Sequence, residues 1–314
     1  MWELGSGDGG HWERVTSPVS VTLRDVTHSA NGPCVVGNDG FVLGRASDGT
    51  WGVLVEHGPK AHNNDLHAVD ATGDGKRVWF AGSSGAVGYY DLQAQKRRDF
   101  SEPNDLTNTF QALTVSGKRG SEKLLAADGS GNVVPGVVSG DTIDWEWARD
   151  VSGAMTALSS NPAGVGFGVN SSGGVFKTTR DDGWKKIGLE DAGTSLYAVT
   201  ANNNRLIVGG GNGRIYELED NTWTPYLLAS FTVQDLSLAP DGSVALAVGG
   251  SGDVFVRRGT GDWKPRSAKN SNALRGCAVS SPAVAVGKSG TIIEAPNENR
   301  DTTGEEDGAT MAPE

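Results

Sequence analysis

The sequence predicts an all-β chain folded as a seven-bladed β-propeller, with four-stranded antiparallel blades and a seventh blade closed by the N-terminal strand. Three observations predict it. A Gly-x-x-Gly-like turn recurs seven times, ending at Gly40, Gly85, Gly131, Gly173, Gly213, Gly252 and Gly290. Successive spacings are 45, 46, 42, 40, 39 and 38 residues, the period of a propeller blade. Before each turn runs a phrase of the form apolar, variable, small or Asp, apolar, and after most turns comes a tryptophan.

The innermost strands begin Leu23-Arg24-Asp25-Val26, Leu66-His67-Ala68-Val69, Phe110-Gln111-Ala112-Leu113 and Met155-Thr156-Ala157-Leu158. They continue as Leu196-Tyr197-Ala198-Val199, Val233-Gln234-Asp235-Leu236 and Leu274-Arg275-Gly276-Cys277. Small third residues suit strands that crowd around a central axis, while the apolar places bury between blades. The second strand is apolar and β-branched (34–36, 78–80, 206–208, 244–248, 283–286), which fits a strand covered on both faces. The turn that follows needs residues that tolerate positive φ, hence its Gly, Asn and Asp. Third strands fall at 41–45, 86–91, 214–218, 253–257 and 291–294.

On the outermost strand, Trp51, Trp184, Trp223 and Trp263 stand 10 or 11 residues after their turn glycine, and Trp145 stands 14 after. That regularity marks them as packing groups between blades. Blade two lacks such a tryptophan and carries Lys96-Arg97-Arg98 before Phe100. A basic run on an edge strand discourages edge-to-edge pairing; the sharper alternative is a docking patch for an acidic partner. The last repeat also lacks its tryptophan, and His11-Trp12-Glu13-Arg14-Val15 supplies it from the other end. Trp12 precedes Leu23 by 11 residues, as Trp263 precedes Leu274, so the N-terminal strand completes blade seven. Residues 1–4 are a further strand candidate beside 291–294.

A chain of 314 residues in this repeat closes as one ring, assigned to 1–296, with an acidic tail at 297–314. Its 46 glycines are about double the average usage, as many tight turns require. The net charge is −11, of which the tail carries −5, leaving a mildly acidic body at −6. That disfavours nucleic acid as a partner, since a phosphate backbone needs a basic patch. No apolar run approaches the length of a membrane span, and the N-terminus shows no secretory signal. The default expectation is cytoplasmic, with the surface of a virion or assembled particle as the alternative. Cys34 in the first repeat and Cys277 in the last each fall in a predicted inner strand, and those blades are neighbours in a closed ring, so a disulfide is one reading; buried free thiols are the plainer expectation.

The second place of each inner strand carries Arg24, His67, Gln111, Thr156, Tyr197, Gln234 and Arg275. All are polar between apolar or small neighbours. Strand alternation sends them away from the packed face, toward the axis or the face above it. They form a hydrogen-bonding rim, cationic on the side of Arg24 and Arg275, that suits a carboxylate-bearing peptide or a sugar. A water-filled channel that binds nothing is the bland alternative.

Metal ligation is the weaker candidate. His57, His62, Asp65 and His67 share the connection between blades one and two, and imidazoles beside a carboxylate can hold zinc. Their spacing matches no standard site, and no cofactor motif is present; no cofactor is expected.

These phrases resemble the BNR or Asp-box-like propellers, and especially the photosystem II assembly factor-like (Ycf48-type) repeat proteins. The resemblance rests on the inner-strand starts, the Val-Gly-x-x-Gly turns and the outer phrases Ser47-Asp48-Gly49-Thr50-Trp51 and Thr179-Arg180-Asp181-Asp182-Gly183-Trp184, and it covers residues 2–295. Every outer phrase is a shortened form of the full Asp box, Ser/Thr-x-Asp-x-Gly-x-Thr-Trp. The resemblance implies a non-catalytic scaffold that binds protein segments; the photosystem role is not carried over. A carbohydrate- or receptor-binding surface protein is the first rival. A sialidase-like glycoside hydrolase is the second: Arg24, Arg275 and Tyr197 match two arginines and the tyrosine nucleophile of such sites. The third arginine and the activating acid have no inner-strand counterpart, so the expectation is not an enzyme.

Overall fold

Seven tight turns set the frame. In the computed structural model, which describes residues 12–178, 183–189, 192–268 and 270–295, all seven turn glycines take positive φ, between 63° and 100°. L-residues are strained there. Space is short as well: a Cβ on Gly213 would lie 2.0 Å from the Ala229 carbonyl oxygen.

Each turn joins the second and third strands of a four-stranded antiparallel sheet, and seven such sheets succeed one another along the chain. The innermost strands are Leu23–Ser29, Leu66–Ala71, Phe110–Lys118, Met155–Ser160, Leu196–Ala201, Val233–Leu238 and Leu274–Ala278. Second strands such as Arg77–Gly82 and Val244–Gly249 are buried along their whole length, which explains their continuous apolar sequence. Blade three carries an extra piece, Arg149–Asp150, which pairs with Asn132–Ser139 beside the outermost strand Thr142–Trp145.

The ring closes as the sequence predicts. Glu13–Arg14 pairs antiparallel with Thr291–Glu294, placing Glu13 opposite Glu294 and Arg14 opposite Ile293. The Trp12 N–H reaches back to the Ser267 carbonyl of blade six at 3.0 Å, and the Val15 N–H donates to Ile292 at 3.0 Å. The first and last segments of the ring therefore share one sheet, which leaves no open end between blades.

The core is seven apolar layers, one between each pair of neighbouring blades. Places one and four of an innermost strand face the preceding blade, and place three faces the following one. Leu66 and Val69 pack with Cys34 and Val36 of blade one, whereas Ala68 packs with Phe110 and Leu113 of blade three. Six layers receive a tryptophan from the outermost strand of their second blade: Trp51, Trp145, Trp184, Trp223, Trp263 and Trp12. Gly136 shows how closely the indole fits, since a Cβ there would lie 2.6 Å from the Trp145 ring.

The cysteines correct one expectation. Cys34 lies on a second strand, Gly32–Gly37, and only Cys277 is on an innermost one. Both are free and buried, in the layers between blades one and two and between six and seven. The layer between blades seven and one separates them, so no disulfide forms; burial pushes the Cys34 thiol up to about 11. Among the described residues no helix is long and apolar enough to cross a membrane. The expectations for residues 1–4, His11, the outer phrase at 179–182 and the tail at 297–314 lie outside the described residues.

Candidate functional site

Every innermost strand breaks its pairing at the same place. Leu23 lies opposite Gly37, and the register resumes with Asp25 opposite Val36, so Arg24 has no partner. The same shift passes over His67, Gln111, Thr156, Tyr197, Gln234 and Arg275. A bulge inserts one residue and re-aims its side chain. It also explains why places one and four, three residues apart, bury on one face of a period-two strand.

The seven side chains sit near the entry ends of the innermost strands and differ in how they are held. Arg24 donates to Asn38 Oδ1 at 2.6 Å and pairs with Asp65 Oδ2 at 3.3 Å. His67 Nε2 meets the Ser83 hydroxyl at 3.0 Å; burial, then the charge of Arg24, lowers its pKa to about 4, so it is neutral at pH 7. Thr156 donates to the Leu196 carbonyl at 2.7 Å, tying blade four to blade five. Arg275 donates to Gln234 Oε1 at 3.1 Å, while its buried Nε–H has no partner within the protein. Gln111 and Tyr197 are exposed. Of the two arginines, Arg24 is thus matched by a carboxylate and Arg275 by a neutral amide.

The histidine connection forms no ligand set. Asp65 is spent on Arg24 and on the Asp39 N–H at 3.0 Å, and His57 Nδ1 faces Asn63 Oδ1 at 2.5 Å. His62 is exposed. Among the described residues, no three His, Cys, Asp or Glu side chains are grouped so as to hold a metal ion.

A cavity of about 790 Å³ opens at the opposite ends of the innermost strands, and none of the seven rim residues lines it. Four aspartates line it, and three of them, which the sequence reading did not single out as a group, lie on innermost strands: Asp25, Asp70 and Asp235. Each accepts a backbone N–H from the next blade: Val69 to Asp25 at 2.8 Å, Val115 to Asp70 at 2.7 Å, Cys277 to Asp235 at 2.7 Å. Burial holds all three carboxyls above the usual range, Asp70 at about 6 and Asp235 at about 7; for Asp25 the charge of Asp235 adds to it. For Asp25 and Asp235 the available signal was Asp at a third place otherwise kept for Ala and Gly; Asp70 stands two places further along its strand.

Lys96, Arg97 and Arg98 lie elsewhere again, on the fully exposed outermost strand of blade two, Lys96–Asp99.

No protein-family model matches the chain, and no curated protein matches it. Solved structures do resemble it. A virginiamycin B lyase from Staphylococcus aureus superposes with a TM-score of 0.74 at 11% identity, over 90% of this chain and 98% of that one. YCF48 bound to D1 peptide gives 0.72 at 16% identity, over 93% and 97%. The RRP9 WD40 repeats give 0.73 at 12% identity, over 92% and 99%. At such identities the likeness establishes what these chains share, a β-propeller fold.

Proposed function

We propose that this chain is a non-catalytic interaction scaffold that binds a segment of a protein partner on the face where its innermost strands begin. We take residues 1–296 as that ring and 297–314 as an acidic tail outside it. The set of seven bulges carries the reading. One repeated backbone device presents seven polar side chains of five types around one opening, while their neighbours stay apolar, small or Asp in every blade. Variety is thus confined to the residue that reaches the face.

Arg275 is the natural anchor. Its guanidinium meets only the amide oxygen of Gln234 and no carboxylate of the chain among the described residues, so a carboxylate of the partner would complete it. Exposed Tyr197 offers a ring and a hydroxyl to the same segment. A fold neighbour, YCF48, was solved with a bound peptide, which supports peptide binding by this architecture.

Affinity capture with the tagged chain identifies the partner, and its affinity is then measured for Arg275→Glu and Tyr197→Ala. Each is expected to weaken binding about tenfold, equivalent to roughly 1.4 kcal/mol. Unchanged affinity in both would move the site off this face. Binding on a glycan array, with no protein captured, would replace the partner by a sugar. Turnover of a model glycoside that Tyr197→Phe abolishes would make the chain a hydrolase.

A further inference from the structure

The strand register shows what blade two does without its tryptophan. On the third strand, the residue five past the turn glycine faces the tryptophan of the outermost strand: Arg45 opposite Trp51, Gly136 opposite Trp145, Thr178 opposite Trp184, Leu218 opposite Trp223. In blade two the same station, Tyr90, faces Arg97. Arg97 therefore stands where the ring elsewhere places an indole.

Arg97 does not fill that space. Its guanidinium donates to the carbonyls of Gly58 at 2.7 Å and Glu56 at 3.4 Å, and the residue remains exposed. The layer between blades one and two contains no tryptophan among the described residues. At its outer end lies a groove of about 570 Å³ lined by Leu54, Val55 and Tyr90 together with Lys96, Arg97 and Arg98. Glu56 is the one acidic residue of that lining, so the groove is net cationic. Beside it, Lys96–Asp99 ends its sheet with an unpaired edge.

We propose that this groove docks an acidic segment of a partner protein and takes one aromatic side chain of that segment between blades one and two. The site is on the circumference of the ring, separate from the face assigned above, and does not depend on that assignment. Two features choose the occupant. The six other layers are sealed at this station by indoles of the chain itself, so the geometry of the repeat accepts an aromatic ring. The three cations select acid around it, and the exposed strand edge offers backbone donors and acceptors for pairing.

The probe is a fluorescein-labelled peptide of sequence Glu-Asp-Glu-Trp-Glu-Asp-Glu, titrated with the full chain by fluorescence polarisation. Saturable binding is expected, weakened at least tenfold when alanine replaces the peptide tryptophan, and weakened by added salt. Arg97→Trp restores the repeat and fills the groove; binding is expected to fall at least tenfold while Tm stays level or rises. Should that variant misfold, the double charge reversal Lys96→Glu with Arg98→Glu alters only exposed side chains and is expected to cause the same loss. Arg275→Glu is expected to leave this affinity unchanged. Absence of saturable binding, indifference to the peptide tryptophan, or full affinity in the charge-reversal variant would each overturn the proposal.

Discussion

Asp25, Asp70 and Asp235 act as staples between innermost strands, and each accepts a neighbouring blade's N–H from a half-buried position on the cavity wall. Between blades seven and one the innermost strands also come close, and glycine makes that possible, since a Cβ on Gly276 would lie 2.7 Å from the Asp25 Cα. The cost of burying the carboxylates appears in their raised pKa values, and the consequence for stability has a definite sign. Folded Asp70 and Asp235 hold protons up to about 6 and about 7, against an ordinary value of 3.8. Their contribution is fully present below about pH 4 and is lost as pH rises through 7. Asp91 and Asp128 run the other way, their hydrogen bonds overcoming burial and holding them below the usual range. Their contribution fades only below pH 4, outside this window. His67, held down to about 4, and His28, lowered by burial, oppose the aspartates in part, since their contribution is present above about 6.5 and is lost as pH falls. Thermal melts should therefore give a Tm lower by roughly 5 °C at pH 8 than at pH 5, at about 2 °C for each kcal/mol in a domain of this size. Asp235→Asn keeps an acceptor for the Cys277 N–H and removes the ionisation. It is expected to flatten that profile and to melt higher than the wild type at pH 8; an unchanged slope would remove Asp235 from the account. Other buried charges gave no warning in the sequence. Arg77 at the start of a second strand meets Asp91 at 3.1 Å and Glu122 of blade three at 3.2 Å, and Glu217 bridges Arg205 and Arg257 across blades five and six. Charged residues near strand ends read as exposed until the neighbouring blade is in place.

The strands themselves were legible at their turns and at their tryptophans, because both depend on local chemistry repeated seven or six times. Positive φ demands glycine wherever the turn occurs, and an indole on an outermost strand has only the adjacent layer in which to bury. The bulges were harder to see, since they violate the alternation used to read strands. Their signal was nevertheless in the phrase itself. Leu66 and Val69 are both apolar and three apart, a spacing that puts them on opposite faces of a regular strand; only an inserted residue brings both onto one face. His67 is that residue. Alternation alone sends the seven polar side chains toward the axis or the face above it; the bulges place them at the end of the strands opposite the aspartate-lined cavity. The tryptophans yield a test at this scale. Trp223 belongs to the layer between blades four and five, whereas Trp147 is 81% exposed and outside the repeat register. Trp223→Ala is expected to cost about 3 kcal/mol and Trp147→Ala less than about 0.5 kcal/mol in denaturant unfolding. Equal costs would contradict the assignment of the repeated tryptophans to packing.

For the ring as a whole, the seam between blades seven and one decides whether seven sheets behave as one body. Three kinds of contact cross or complete it. Glu294 of blade seven takes a two-pronged ion pair from Arg45 of blade one, at 2.8 and 3.0 Å, and a third hydrogen bond from the Trp51 indole at 2.8 Å. Leu23, Val26 and Trp51 pack with Val284, Val286 and Ile292 in an apolar layer. Glu13–Arg14 covers the edge of Thr291–Glu294, and Trp12 fills the layer between blades six and seven. The last of these can be removed without touching the other two, by deleting residues 1–14, which leaves Val15 against the apolar layer. Blade seven then has three strands, and the Thr291–Glu294 edge stands open for pairing with a second molecule. A ring held only by neighbour-to-neighbour layers would lose stability locally, whereas a closed ring loses it everywhere, because every blade depends on both neighbours through the seam. The deletion is therefore expected to lower Tm by about 10 °C in one cooperative transition, on the basis of the roughly 3–5 kcal/mol for a lost core tryptophan plus a lost strand. Light scattering should show dimers or larger species at concentrations where the full chain is monodisperse. If the truncated chain instead melts in two steps, with most blades surviving at the original temperature, closure by the N-terminal strand is a local ornament and the seam is carried by Glu294 and the apolar layer alone.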